Sequence, residues 1–225
     1  MSPIEIYKKF LLKVNKNDTN GNIKVPKSQF VLLFNEQKRK FIDDELSNNE
    51  SSDLIEDLEE LLISDEQLEK IEDYTLKTDF KLPINFSKRV SSYVLASSGD
   101  CTNQVLYAWA IKPKDINVYL QNENLKPSFD YRETVVVLNN GKVSVYKDGF
   151  TVDELYLTYY QEPKDIDIEG YIHIDGTPST NIETNLSNSN IELILDRTAM
   201  EALRNYENLE HLQIAMQREQ FNQAL

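Results

Sequence analysis

Apolar residues recur at helical spacing toward the two ends of this chain and alternate with polar ones through its middle, and that change of period sets the expected architecture. Ile6, Tyr7, Phe10, Leu11 and Val14 fall on one face of an N-terminal helix. Ser2-Pro3-Ile4-Glu5 opens it with the S-x-x-E form of a capping box and a proline at the first helical position, where a missing N–H costs nothing. The turn formers of "NKNDTNGN" (15–22) end it. Ile23 and Val25 make a short extended piece before Pro26, and Phe30, Leu33, Phe34, Phe41 and Leu46 then define a second helix with a charged far face. Beyond the polar break at 47–53, Leu54, Leu58, Leu61 and Leu62 predict a third helix in "LIEDLEELLISDEQLEKI", with Ser64 and Gln67 as the capping box of a further short segment. Residues 1–80 therefore read as a helical region.

Near Lys81 the grammar changes. Pro83 breaks any helix, and β-branched and aromatic residues begin to alternate. The strands predicted are "VSSYVLA", "QVLYAWAI", "DINVYLQ", "ETVVVLN", "KVSVYKD", "DELYLTYYQ" and "DIDIEGYIHI". They are short, closely spaced and bounded by turns, which favours antiparallel sheets over βαβ units and gives a β domain at 81–178. The clearest hairpin is "ETVVVLNNGKVSVYKDG" (133–149): Asn139-Asn140-Gly141 tolerate positive φ, so Val135 or Val137 would face Val143 and Val145. Residues 179–225 read as a polar linker and a long last helix, with Ser189 and Glu192 as its capping box and Ile191, Leu195, Ala199, Ala202, Leu203 and Tyr206 as its inward stripe. The fold class expected is α+β: N-terminal helices and a long C-terminal helix packed together, with a central antiparallel β-sandwich or partly open barrel.

Composition narrows the function. The chain has 225 residues, 40% hydrophobic and 28% charged, which suits a globular protein with a real core. A net charge of −14 disfavours a protein that holds nucleic acid by neutralising phosphates, although an acidic wall past which DNA slides fits it. The single cysteine, Cys101, excludes an internal disulfide, a CxxC pair and a cysteine zinc site. The apolar run in "MSPIEIYKKFLLKVNK" is too short for a signal peptide, and no stretch approaches the roughly 18 apolar residues of a membrane span. A soluble protein made in a cytoplasm, with no membrane association, is the expectation.

Candidate chemistry is sparse. The only histidines, His173 and His211, read as packing or surface residues rather than bases, and Cys101, after Gly99-Asp100, reads as a small hydrophobe in a turn. Asp165, Asp167 and Glu169 alternate with Ile166 and Ile168, which places the acids on the wet face of a strand; such a face could meet a cation, but no EF-hand loop accompanies it. Glu56, Asp57, Glu59 and Glu60 read as the solvated side of a helix rather than a catalytic carboxylate pair. Neither GxGxxG nor GxxxxGK[ST] occurs. No catalytic residue, metal ligand or cofactor is expected. Trp109 in "YAWAI" reads as core, and Leu155 to Tyr160 carries bulk on both faces, as suits a strand buried between sheets or under a partner subunit.

The order of these pieces resembles structural proteins of tailed bacteriophages, in particular the ring and head-to-tail connector proteins of crAss-like phages. "SQFVLLFNEQKRKFI" is similar to their early helix with a central Asn-x-Gln, and "FKLPINFSKRVSSYV" to their Leu-Pro entry into the β domain. "KPSFDYRETVVVLNNGKVSVYKDG" with "VDELYLTYYQEPKDI" is similar to their proline-led loop, hairpin and strand ending in Tyr-x-x-x-Pro, and "SNIELILDRTAMEAL" to their closing helix. The resemblance implies a non-enzymatic virion component that assembles with itself into a ring, a dodecamer to match the portal, at the head-to-tail interface. Its partners would be the portal protein, adjacent tail ring proteins and passing double-stranded DNA, which it would not bind tightly. The interface candidates are Val143 and Val145 on the hairpin, Tyr156, Tyr160 and Phe221, with the hairpin as a projection or sheet edge. Some of the acids of "DIDIEG", "IEDLEELL" or the strand loops would line the channel. The competing reading is a carbohydrate- or receptor-binding virion module, which would show aromatics on an exposed face.

Overall fold

The computed structural model describes residues 1–15, 23–48 and 56–205. In chain order these form α1 (Pro3–Asn15), α2 (Lys27–Asn48), a 3-10 turn (Glu56–Leu61), β1 (Leu62–Gln67), β2 (Lys70–Asp73), β3 (Lys77–Lys81), β4 (Phe86–Ser98) and β5 (Cys101–Ala110). A second 3-10 turn (Pro113–Asp115), α3 (Ile116–Gln121), β6 (Glu133–Asn139), β7 (Lys142–Tyr146), β8 (Thr151–Gln161) and α4 (Asn188–Asn205) complete it. The protein is α+β, as its periodicity predicts, and its chain divides into two compact units, residues 1–50, 55–60 and 163–225 in one and residues 51–54 and 61–162 in the other.

In the helical unit, α4 packs against both α1 and α2. Ser2 and Glu5 form the predicted capping box: Ser2 N donates to Glu5 Oε2 at 2.9 Å and Glu5 N to Ser2 Oγ at 3.4 Å. Ile6, Phe10 and Val14 of α1, Phe30, Phe34 and Phe41 of α2, and Ile191, Leu195 and Ala199 of α4 are buried. Phe10 and Phe30 meet at 4.7 Å between ring centroids. Ion pairs cover the seam: Lys9 with Glu192, Lys13 with Asp196 at 2.6 Å, and Arg197 with Asp44 at 3.1 Å. The cap of α4 is two residues earlier than expected. Ser187 Oγ accepts from Asn190 N at 3.2 Å, Glu60 accepts from Ser187 N at 2.5 Å, and the supposed capping-box acid Glu192 instead holds two lysines of α1.

The second unit is one eight-stranded sheet in the order β1-β8-β4-β5-β6-β7-β3-β2. Its two end strands are consecutive in the chain, joined by Leu68 and Glu69 alone. Leu68 N donates to Leu155 O at 2.9 Å and Lys81 N to Glu69 O at 2.9 Å, which curls the sheet into a partly open barrel. Leu68, Phe80, Val94, Leu106, Val136, Val145, Phe150 and Leu155 are among its core residues.

Three expectations need correction. The helical region ends well before residue 80, because Leu62–Gln67, Lys70–Asp73 and Lys77–Lys81 are strands. Residues 62–73 carry two leucines, three glutamates, a glutamine and a lysine and favour helix locally, but pairing of Leu62 with Tyr160 and Gln67 with Tyr156 overrides it, and Asp65, at φ +52°, sits in a bulge that no helix contains. The sheet is mixed rather than antiparallel, since β5 and β6 run parallel. A parallel neighbour requires a crossover, and residues 111–132 supply it, so "DINVYLQ" forms α3 instead of a strand. "DIDIEGYIHI" belongs to the helical unit and makes only isolated bridges, Asp167 with Ile182 and Ile172 with Pro178.

Candidate functional site: an aromatic cleft and an isoleucine hairpin

In the sheet unit, alternation along β4, β5 and β8 sends Val94, Leu106 and Leu155 into the core and their neighbours outward. Tyr93 lies opposite both Tyr107 and Tyr156, so three tyrosines form a row across the outer face. Tyr93 and Tyr156 stack at 4.9 Å, and Tyr107 meets Trp109 at 4.4 Å with the rings tilted by 59°. Trp109 is half exposed, as are Tyr107 and Val105. The expectation that Trp109 is core is therefore wrong: in the β5 alternation it shares the parity of Val105, while Ala108 takes the inward position.

The crossover converts this outer face into a cleft. Trp109, Ile111, Tyr119, Leu125, Lys126 and Val135 are among the residues lining a cavity of about 250 Å³. Its apolar walls are Trp109, Leu125 and Val135. Of its polar lining, Lys126 pairs with Glu123 at 2.9 Å and Asp148 at 3.3 Å and the Thr134 hydroxyl donates to Tyr146 O, while Tyr119, Asn124 and Glu133 line it as well. The free edge strand β2 is exposed throughout and reads Lys-Ile-Glu-Asp, charges that discourage strand addition there.

In the helical unit, Tyr171 to Pro178 forms a tight hairpin. Gly176 N donates to His173 O at 2.9 Å and His173 N to Thr177 O at 2.9 Å, with Gly176 at φ +85° closing a three-residue loop. Asp167 is its anchor. The nearly buried carboxylate accepts from Tyr171 OH at 2.6 Å and Thr180 N at 2.9 Å, and its Oδ2 lies 3.1 Å from His173 Nε2. Burial pushes the Asp167 carboxyl up, but these hydrogen bonds outweigh it and hold the group below its ordinary value; burial and the same carboxylate push the Tyr171 hydroxyl well up. Ser179 Oγ accepts from the Gly170 and Tyr171 amides and donates to Tyr171 O, so its contacts are with backbone rather than with His173. At the outer end Ile172 is 73% exposed and Ile174 fully exposed.

The interface candidates are scattered. Val143 and Val145 are 1% and 0% exposed, inside the sheet core, and Tyr160 is buried at 2%. None of the three offers a surface to a partner. Tyr156 is half buried in the tyrosine row, and Phe221, like His211 and Tyr206, lies outside the described residues. So do Leu54 and most of the two predicted turns at 15–22 and 47–53. The 133–149 hairpin is neither projection nor edge, since β6 and β7 are flanked by β5 and β3. Of the acids singled out, Asp165 pairs with the fully buried Lys38 at 2.7 Å and with Arg39, Asp167 anchors the hairpin and Glu60 caps α4, whereas Glu59 and Glu169 are exposed and the side chains of Glu56 and Asp57 lie outside those described. Cys101 is exposed at the start of β5. Among the described residues no cluster of three or more His, Cys, Asp or Glu side chains could hold a metal, and no helix is long and apolar enough to cross a membrane. Neither a family model nor a curated protein matches the chain.

Proposed function

We propose that this chain is a structural subunit of a ring in the head-to-tail connector of a tailed bacteriophage, where it extends the channel for DNA. The observation that carries the reading is a pair of unlike apolar surfaces, the Trp109 cleft in one unit and the Ile172–Ile174 hairpin in the other. In this reading the two surfaces are the places where neighbouring subunits meet. Because the two surfaces differ, they suit a heterologous, head-to-tail contact, which generates a ring when its rotation closes. The resemblance of its motif order to connector proteins is the other ground for this reading. The net charge of −14 suits a wall that lets a polyanion pass without gripping it. Electron microscopy of particles, with this chain labelled, tests the proposal. A labelled ring adjoining the portal is expected, and finding the protein only free in infected cells would end the idea.

A further inference from the structure

We propose that the Ile172–Ile174 turn of one copy seats in the Trp109 cleft of a second copy. This rests on the ring reading for its biological setting but on its own geometry for the contact. Ile174 occupies the first corner of the turn that Gly176 N closes onto His173 O. That corner favours proline and accepts most residues, and here a fully exposed β-branched apolar side chain stands in it with Ile172 close behind. The knob is rigid before it binds. Asp167 ties down Tyr171, His173 and the Thr180 amide, and Ser179 ties the Gly170 and Tyr171 amides, so docking orders little further chain.

The receiving surface fits in size, and two exposed lysines stand beside it. A cavity of roughly 150 Å³ already holds a benzene-sized group, and the cleft offers about 250 Å³ between Trp109 and Leu125. Lys112 and Lys114, exposed after Ile111 of the lining, stand beside Asp115 and the lining residue Glu133, whereas Glu169 and Asp175 flank the isoleucines; neither lysine and neither of these last two acids forms an ion pair among the described residues. Opposite charges thus stand ready beside opposite halves of one contact. Every copy carries both halves, so filling one cleft leaves another knob free and the contact propagates.

The chain's single tryptophan lies in the cleft and reports its occupancy. Emission of the full chain is followed over increasing concentration beside sedimentation mass, for the wild type and for an Ile172→Ser/Ile174→Ser variant. The inference expects a blue shift of Trp109 that tracks association, and at least a tenfold weaker association with no shift in the variant. Unchanged circular dichroism and melting temperature would show that the variant keeps its fold, as the exposure of both residues predicts. Association without a Trp109 shift, or a shift that survives in the variant, overturns the docking and leaves the ring reading standing. A wild type that is monomeric at every concentration also overturns it, and the labelled-particle experiment then decides the ring reading separately. A blue shift produced by neutral oligosaccharides in place of self-association would assign the cleft to glycan instead.

Discussion

The 133–146 and 171–178 hairpins share turn chemistry and differ in everything that matters for function. The first turns on Asn140 at φ +45° and Gly141 at φ +73°, the second on Gly176 at φ +85°. Yet β6 and β7 lie inside the sheet, with Val136 opposite Val145 and Leu138 opposite Val143, while the second hairpin carries Ile172 and Ile174 out to solvent. A turn motif fixes where the chain reverses. Whether the reversal sits in a core or projects from it depends on what pairs with its strands. The uninterrupted Val135-Val136-Val137 run already implies burial on both faces, as opposed to the alternation of a half-exposed strand.

A buried charge should separate the two hairpins most sharply. Val145→Asp is expected to destabilise the sheet unit by about 4 kcal/mol or more, whereas Ile174→Asp should stay within about 0.5 kcal/mol, both read by urea unfolding. Similar losses at the two positions would erase the distinction.

Next in size are the carboxylates beside each hairpin. Asp79, 1% exposed, pairs with Lys142 at 2.5 Å and accepts from Ser144 Oγ at 2.6 Å on β7, and Asp167 anchors the other hairpin. Burial pushes both carboxyls up, but Lys142, Ser144 and Lys77 around Asp79, and the hydroxyl and amide donors around Asp167, win and hold both below their ordinary value. Their contribution is therefore complete above the unfolded-state pKa of about 3.9 and is lost as pH falls through the lower folded-state values. Asp79→Asn and Asp167→Asn should each cost about 2 kcal/mol at neutral pH. Melting temperature should hold from neutrality to about pH 5 and drop below about pH 4, more shallowly in the double variant. A drop of equal slope in the variant would assign the acid sensitivity elsewhere.

Turn glycines give a smaller and more even effect. Gly141→Val should cost about 1–2 kcal/mol and Gly176→Ala about 1 kcal/mol, because each places a Cβ at positive φ with no neighbouring atom to clash against. An unchanged melting temperature for either would mean that its turn is misread. Smallest of all, Ile174→Ser should leave the protomer's stability within about 0.5 kcal/mol, as measured by thermal unfolding.

The terminal helices were legible because their signals are local: the Ser2–Glu5 box, the Phe10, Phe30 and Phe34 spacing, and the stripe from Ile191 to Leu203 all follow from 3.6-residue periodicity. The α+β class followed. What stayed hidden depends on distant pairing. Leu62–Asp73 has helical composition and becomes strand through its contacts with β8 and β3, and the parallel β5–β6 pair makes a helix of residues that alternate like a strand. The cleft was hidden for the same reason, since it exists only where the crossover meets β5. The hairpin had a signal that could have been used. In "YIHIDGTP" a turn-forming Asp-Gly follows two alternating isoleucines, which puts apolar side chains at a tip that solvent alone does not favour.

Cross-linking tests the unlike-surfaces account most directly. In a Cys101→Ser background, which removes the single native thiol, Ile174→Cys places one thiol on the hairpin and Leu125→Cys another in the cleft. A short thiol-to-thiol reagent should then join successive copies into a ladder that passes beyond the dimer and ends at one closed species, with neither single-cysteine chain extending past a dimer. A doubly substituted chain that yields only dimers, or only a bridge within one chain, would contradict a ring built from the hairpin of one copy and the cleft of the next.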